Sequence, residues 1–236
     1  MSQESYSHFT ERLKEERKRV GLSQNETAQK LKMSQSHYSK VELAKRRLSF
    51  YETKWLCETQ LDSFYIFTGR RVEKGYGSLF LACEYQELLC YLELICMVIS
   101  QSGTETAGRF SAGDRRIIGY ARYAAATEHK DKTIFRKYRD YYDYKQEQMA
   151  EKLGVDRKKL RDLEKGKLLP DSELIWKMSY QLYVPFSLIL KDSNGLISEI
   201  CYLLEQLEAD KRKWILQTMQ QYRRAVLKSE FPEDNG

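Results

Sequence analysis

The sequence predicts an all-α protein that contains a tandem repeat. Helices are favoured over strands because the 236 residues include only three prolines and are rich in Lys, Glu, Gln, Leu and Arg. Apolar residues recur with helical rather than alternating spacing, beginning with Phe9, Leu13 and Val20. A set of residues near the N-terminus also recurs in the second half of the chain at one constant spacing.

The composition is that of a soluble globular protein with a mild excess of positive charge. Hydrophobic residues make up 42% and charged residues 31%, and the net charge of +6 favours polyanionic partners without requiring one. Residues 1–4 lack the apolar core of a secretory signal. The apolar run from Leu79 to Ile99 is interrupted by Glu84, Glu87 and Glu93, which would be costly to place inside a bilayer. We therefore expect a cytoplasmic protein without a membrane partner.

We expect no metal site, no cofactor and no enzymatic activity. The five cysteines (Cys57, Cys83, Cys90, Cys96 and Cys201) form no CxxC pair, and the three histidines are far apart. Free thiols in a reducing compartment are the simplest interpretation. A redox sensor formed by Cys83 and Cys90, seven residues apart on one helix face, is the alternative. No nucleophile motif and no Gly-rich phosphate loop is present.

The first sixty or so residues predict two short helices joined by a tight turn. A first helix from Phe9 ends near Gly21, and Ser23 to Glu26 forms a capping box that begins the second helix. Ala28 and Leu31 of the second helix are expected to face inward. After a turn at residues 32–33, Ser34 caps a third helix from Gln35 to Glu42 with Tyr38 and Val41 buried. This is the helix-turn-helix arrangement that fits a DNA major groove.

These residues also carry a resemblance to a known family. The segment resembles the lambdoid repressor/Cro family, also called the XRE family, at Leu13, Arg17, Gly21, Leu22, Ser23, Gln24, Ala28, Leu31, Ser34, Tyr38, Val41, Glu42 and Lys45 to Arg47. The resemblance implies double-stranded DNA as the partner. It also implies that Arg17 and Glu42 form a structural ion pair.

The resemblance further assigns contacts to individual residues. Gln24 matches a position that holds a phosphate at a helix N-terminus. The exposed face of the recognition helix would be Gln35, Ser36, Ser39 and Lys40, of which Gln35 can read adenine. The basic residues Lys45, Arg46 and Arg47 would contact backbone phosphates, with a solvated basic loop as the alternative.

A second copy of the unit follows at a spacing of 122 residues (146 − 24). The recurring residues are Gln146, Ala150, Lys152, Leu153, Glu164 and Lys167, and Arg139 repeats Arg17. Lys145 replaces the capping Ser23, which weakens the helix start, whereas Asp156 caps the third helix. Its exposed face is Arg157, Lys158, Arg161 and Asp162. Arg157 or Arg161 could read guanine, with phosphate contacts alone as the alternative. Gln146 and Lys167 are expected at the DNA, and Arg139 with Glu164 repeats the ion pair.

Helical extensions are predicted after each unit. Leu81, Leu92, Leu94 and Met97 recur at the same spacing as Leu203, Trp214, Leu216 and Met219, so the two extensions could pack together. A Ser/Gly-rich linker at residues 100–111 and a helix at residues 114–128 lie between the units, and the tail from Phe231 is expected to fray. The predicted domains are residues 8–70, 71–134, 135–192 and 193–230: a first helix-turn-helix domain, an extension with linker and connecting helix, a second helix-turn-helix domain, and a C-terminal extension.

The sequence therefore indicates a sequence-specific, double-stranded DNA-binding transcriptional regulator that acts as a repressor. The alternative is a protein-binding antagonist or antitoxin whose helix-turn-helix units regulate its own operon, with the protein partner held by the extensions. An RNA-binding protein is less favoured, because the common RNA-binding motifs are missing. The chain could act as a homodimer, or as a pseudo-dimer in which the two extensions of one chain pair with each other.

Overall fold

The computed structural model describes residues 6–73, 75–101, 112–125 and 132–230, and all regular secondary structure in these ranges is helical. The first half contains α1 (Ser7–Arg19), α2 (Gln24–Lys30), α3 (Gln35–Glu42), α4 (Phe50–Cys57), α5 (Ser63–Thr68), a 3-10 turn (Tyr76–Leu79) and α6 (Tyr85–Gln101). The second contains α7 (Ala112–Ala125), α8 (Ile134–Tyr141), α9 (Gln146–Leu153), α10 (Arg157–Glu164), α11 (Ser172–Trp176) with a π turn (Lys177–Gln181), α12 (Phe186–Leu190), α13 (Ser193–Gln206) and α14 (Ala209–Glu230). The all-α prediction is confirmed for these residues.

The starts of the short helices follow from their capping residues. Ser23 Oγ accepts a hydrogen bond from the Glu26 amide at 3.2 Å, and the Glu26 carboxylate accepts one from the Ser23 amide at 2.7 Å, which completes a capping box for α2. Helix α9 has only half of this arrangement. Gln148 accepts from the Lys145 amide at 2.8 Å, but the Lys145 side chain, which has no acceptor atom, makes no cap bond.

The two units share one backbone course at positions where the chain must turn sharply. Left-handed backbone, with φ between 51° and 75°, occurs at residues 122 positions apart in four pairs: Gly21 and Asp143, Lys32 and Gly154, Ala44 and Gly166, and Gly69 and Lys191. Each pair contains one glycine, for which this conformation carries no steric penalty. The repeat seen in the sequence is therefore also a repeat of conformation.

A single hydrophobic core runs through both helix-turn-helix units. Phe67 of α5 stacks on Phe186 of α12 with ring centroids 4.6 Å apart, and both rings are fully buried. Hydrogen bonds join the segment before α4 to the first residue of α11. The Ser172 amide donates to the Leu48 carbonyl at 2.9 Å, and the Leu48 amide donates to Ser172 Oγ at 3.0 Å. The units are consequently packed against each other rather than joined only by a linker.

A second core lies between the extensions. Buried residues of α6, including Leu92 and Ile95, pack with Ile200 and Leu204 of α13 and Ile215 of α14, so each unit is followed by a helical extension as predicted. Two of the apolar residues that suggested this packing lie outside the core. Trp214 is 53% exposed, and Leu81 is 74% exposed in a turn before α6 rather than on a helix.

Other details of the connecting region differ from the predictions. Ser100 and Gln101 belong to α6, so the predicted linker does not begin at residue 100, and residues 102–111 lie outside the described ranges. The connecting helix is described over residues 112–125, and residues 126–128 of the prediction, like the tail from Phe231, lie outside the described ranges. Cys83 precedes α6 and therefore does not share a helix face with Cys90. None of the described helices is both long and apolar enough to cross a membrane.

Candidate nucleic-acid interface

Two buried side chains, Arg17 and Glu42, and the half-buried Gln24 fix the geometry of the first unit. Arg17 Nε donates to Glu42 Oε1 at 2.6 Å, which joins the end of α1 to the end of α3. Gln24 Nε2 donates to Glu42 Oε2 at 2.7 Å, and Arg17 Nη1 donates to the Leu22 carbonyl at 2.7 Å. Burial opposes ionisation of Glu42, but the hydrogen bonds from Arg17 and Gln24 outweigh it and lower its pKa. We call Arg17, Gln24 and Glu42 the first triad.

The second unit contains the same arrangement, the second triad. Arg139 Nε donates to Glu164 Oε1, and Gln146 Nε2 donates to Glu164 Oε2 at 2.9 Å. Arg139 Nη1 donates to the Tyr144 carbonyl at 3.2 Å, which is the position equivalent to Leu22. In each triad the two glutamate oxygens accept hydrogen bonds from side chains on two other helices. The triads therefore hold three helices of each unit in one orientation.

Gln24, which is expected to hold a phosphate, makes two side-chain hydrogen bonds within the protein. Its amide nitrogen is bonded to Glu42, and its Oε1 accepts a hydrogen bond from Gln35 Nε2 at 3.4 Å. The side chain therefore connects the start of α2 with the start of the recognition helix α3. The backbone amides at the N-terminus of α2 are the other groups through which this position could hold a phosphate. The phosphate contact remains a prediction.

The recognition helix of the first unit has one buried and one exposed face. Tyr38 is fully buried, whereas the residues expected to meet DNA are accessible: Gln35, Ser36 and Lys40 are exposed and Ser39 is half-buried. Ser34 Oγ lies 3.1 Å from Ser36 Oγ beside the cap of the helix. His37 is also exposed at the start of α3, although sequence reasoning did not single it out. Its position three residues after the cap Ser34 places it in the first turn of α3, which could have been read from the sequence.

The corresponding helix of the second unit is strongly cationic. Arg157, Lys158 and Arg161 are all exposed on α10, and Lys167 is exposed in the loop that follows. Arg157 Nη1 lies 2.9 Å from Glu147 Oε1 on α9, but both side chains remain more than half exposed. An exposed pair of this kind is weak enough to be exchanged for a phosphate or a base.

The basic loop after α3 contains one exposed lysine and two arginines that form ion pairs. Lys45 is exposed, whereas Arg46 pairs with Glu52 at 2.7 Å. Arg47 pairs with Glu173 of the second unit at 2.7 Å, and its guanidinium lies 5.5 Å from the centre of the Tyr6 ring. The pairing of Arg47 could not be predicted, because no local sequence pattern links residues 47 and 173. Arg46 and Arg47 are thus not free cations in this structure.

Comparison with protein families identifies the two units. The helix-turn-helix family matches residues 13–51 and again residues 135–187. Comparisons with curated proteins and with solved structures found no match. The two matched segments coincide with the helices that carry the two triads and the two exposed recognition faces. The chain therefore carries two tandem helix-turn-helix domains of the XRE type, the domains of a DNA-binding transcription regulator.

Proposed function

We propose that this chain is a sequence-specific repressor in which one polypeptide presents two different recognition helices to adjacent half-sites. Single-unit proteins of this kind bind as dimers, with two recognition helices meeting half-sites about 34 Å apart. The observation that carries the proposal is the packing of the two units and of the two extensions within one chain.

The contacts between the extensions come in reciprocal pairs. A shift of 122 residues relates α6 to α14, and it relates α13 to the segment around the 3-10 turn. Helix α6 packs on α13, and α14 correspondingly contacts the turn segment: Arg212 Nη1 donates to the Tyr76 hydroxyl at 3.0 Å and Arg223 Nη2 donates to the Ala82 carbonyl at 2.9 Å. Reciprocal contacts are the pattern of an isologous, two-fold interface. Their presence within one chain supports a pseudo-dimer.

The two recognition faces favour unlike half-sites. Gln35 of the first unit can donate to and accept from adenine in the major groove, whereas Arg157 and Arg161 of the second can donate twice to guanine. The matching DNA is an imperfect palindrome, one half of which is richer in guanine. Occupation of such a site across a promoter would exclude the polymerase, which is the physical basis of repression.

The test begins with selection of bound sequences from a random duplex library, followed by footprinting on the selected site. Gln35→Ala is expected to weaken protection of one half-site and Arg157→Ala that of the other, each by about 1–3 kcal/mol. Sedimentation should show a monomer bound to one site. A stable homodimer in which each variant weakens both halves of a symmetric site would refute the pseudo-dimer. Unchanged in vitro transcription from a promoter overlapping the site would refute repression.

A further inference from the structure

A cleft of about 630 Å³ lies where the first unit, the extensions and the second unit meet. Its volume falls within the range of about 300–1,000 Å³ that is usual for small-molecule sites. Apolar side chains from each of these parts line it: Phe50 of α4, Leu89 of α6, Ile134 of α8, and Leu169 and Pro170 after α10. The cleft is separate from the exposed faces of α3 and α10.

Within the ranges that the structure describes, every charged residue that lines the cleft is a lysine. Among the described lining residues are Lys54, Lys132, Lys137 and Lys191, and none is acidic. Lys132 is paired with Asp140 at 2.8 Å, and Lys137 Nζ donates to the Ala124 carbonyl at 2.9 Å. Lys54 and Lys191 have no carboxylate within 4 Å among the described residues. Burial, and to a lesser extent repulsion from Lys191, lower the pKa of Lys137, and both lysines line the cleft.

We propose that this cleft binds an amphipathic anion, a carboxylate attached to an aliphatic chain. The apolar wall can bury the chain, since burial of apolar surface is favourable by about 25 cal/mol per Å². The carboxylate can accept hydrogen bonds from Lys137 and Lys191 and relieve their mutual repulsion. A neutral ligand would leave that repulsion in place, and a cationic ligand would increase it.

The position of the cleft connects such a ligand to both helix-turn-helix units. Gly166, Leu168 and Leu169 lie in the loop that directly follows the recognition helix α10. On the opposite side, Phe50 and Lys54 belong to α4, which follows the basic loop of the first unit. A bound ligand therefore contacts the segments that set the relative position of the two recognition helices. This regulatory consequence depends on the proposed function, whereas ligand binding does not.

The first experiment measures binding without DNA. The full chain is titrated calorimetrically with decanoate below its micelle-forming concentration, and with decan-1-ol and decyltrimethylammonium as neutral and cationic probes. Decanoate is expected to bind most tightly. Lys137→Met and Lys191→Met, which keep an apolar stem, are expected to weaken it by about 10- to 100-fold each. Lys213→Met, an exposed position on α14, is the matched control and should leave the affinity unchanged.

The outcome that overturns the site is equal affinity for decanoate and decan-1-ol, or decanoate binding that neither lysine variant weakens. Lys137 also supports the Ala124 carbonyl, so circular dichroism checks the fold of that variant. If Lys137→Met unfolds, the result for Lys191→Met decides.

The second experiment measures DNA affinity with and without decanoate. The ligand is expected to change the affinity for the selected site by at least about fivefold. No change, in a protein that binds both decanoate and DNA, overturns the coupling and leaves the cleft as a ligand site. Absence of DNA binding under all conditions would refute the proposed function without affecting the calorimetric result.

Discussion

The two helix-turn-helix units have the same internal triads and the same sharp turns, but they differ at an equivalent position on their first helices. In the first unit this position is Glu16, which is fully buried. Its carboxylate accepts hydrogen bonds from Arg19 at 2.6 and 2.8 Å, from Arg71 at 2.9 Å and from the Asp62 amide at 3.0 Å. A buried ion network therefore holds α1 against the segments on either side of α5.

In the second unit the equivalent position is Tyr138, which lies in a cluster of aromatic rings. Its ring centroid is 5.2 Å from that of Tyr120 on α7 and 4.7 Å from that of Tyr142. Helix α7 supplies part of this cluster. The triad therefore belongs to the helix-turn-helix geometry itself, whereas the other contacts that support each unit depend on the segments packed around it.

The largest expected effect is the fall in DNA affinity with rising salt. It should also distinguish Lys158 and Lys167 of the second unit, which are exposed, from Arg47 of the first, which forms an ion pair. Contacts to six to ten phosphates would lower DNA affinity by about 10³- to 10⁵-fold between 50 and 200 mM salt. Lys158→Met and Lys167→Met should each reduce the slope of log affinity against log salt by about one. Arg47→Met should reduce it less, because Arg47 is paired with Glu173. A nearly flat salt response of the unmodified protein would contradict DNA binding by at least one unit.

The triads predict equal losses of stability in the two units. Glu42→Ala and Glu164→Ala each leave an arginine that is at most 13% exposed without its partner, so each should lower the free energy of unfolding by about 3–5 kcal/mol. Glu147→Ala removes an exposed pair and is the matched control, with an expected change within about 0.5 kcal/mol. Urea unfolding measures all three. If the two triad variants differed by more than the control, the triads would not be equivalent.

Of the two equivalent residues Glu16 and Tyr138, only Glu16 should make the stability of the protein sensitive to acid. Burial opposes ionisation of Glu16, but hydrogen bonds from Arg19, the Asp62 amide and Arg71 lower its pKa from 4.5 to about 2. The stabilisation is therefore complete above pH 4.5 and is lost as the pH falls towards 2. Glu16→Gln should reduce the stability lost between pH 6 and pH 3 by about 2 kcal/mol.

Tyr138→Phe is the matched variant for this comparison. Burial raises the pKa of Tyr138, so the phenol is neutral throughout the acid range and its removal should leave the pH dependence unchanged. Urea unfolding at the two pH values decides between the variants. An equal change in both would mean that Glu16 is not the source of the acid sensitivity.

The smallest effect compares one sharp turn in its two versions. Ala44 and Gly166 occupy equivalent left-handed positions, with φ of 56° and 68°. Gly166→Ala should lower the free energy of unfolding by about 1–2 kcal/mol, because a Cβ is disfavoured there. Ala44→Gly should raise it by up to about 1 kcal/mol, since the relief of strain exceeds the added entropy of the unfolded chain. Thermal unfolding measures both, and shifts of the same sign would contradict the shared turn.

Much of each unit was predictable from residues that lie close together in the chain. The third helix of the first unit has the predicted bounds, Gln35–Glu42, because Ser34 caps it and the apolar period continues to Val41. Half of the α9 cap is missing, as expected from Lys145. The assignment of individual DNA contacts remains a prediction, with one change in its basis: Arg46 and Arg47 make ion pairs within the protein.

The helical class, the repeat and the cap residues could be predicted without a structure, because each of these depends on spacing within a few turns or on direct self-comparison of the sequence. Three features could be seen only in the folded chain: Phe67 stacks on Phe186, Arg47 pairs with Glu173, and four lysines line one cleft. Such contacts join residues far apart in the chain, and no local period encodes them. They form because apolar faces left over after each unit folds must be buried, and the partner available to each face depends on how the whole chain packs.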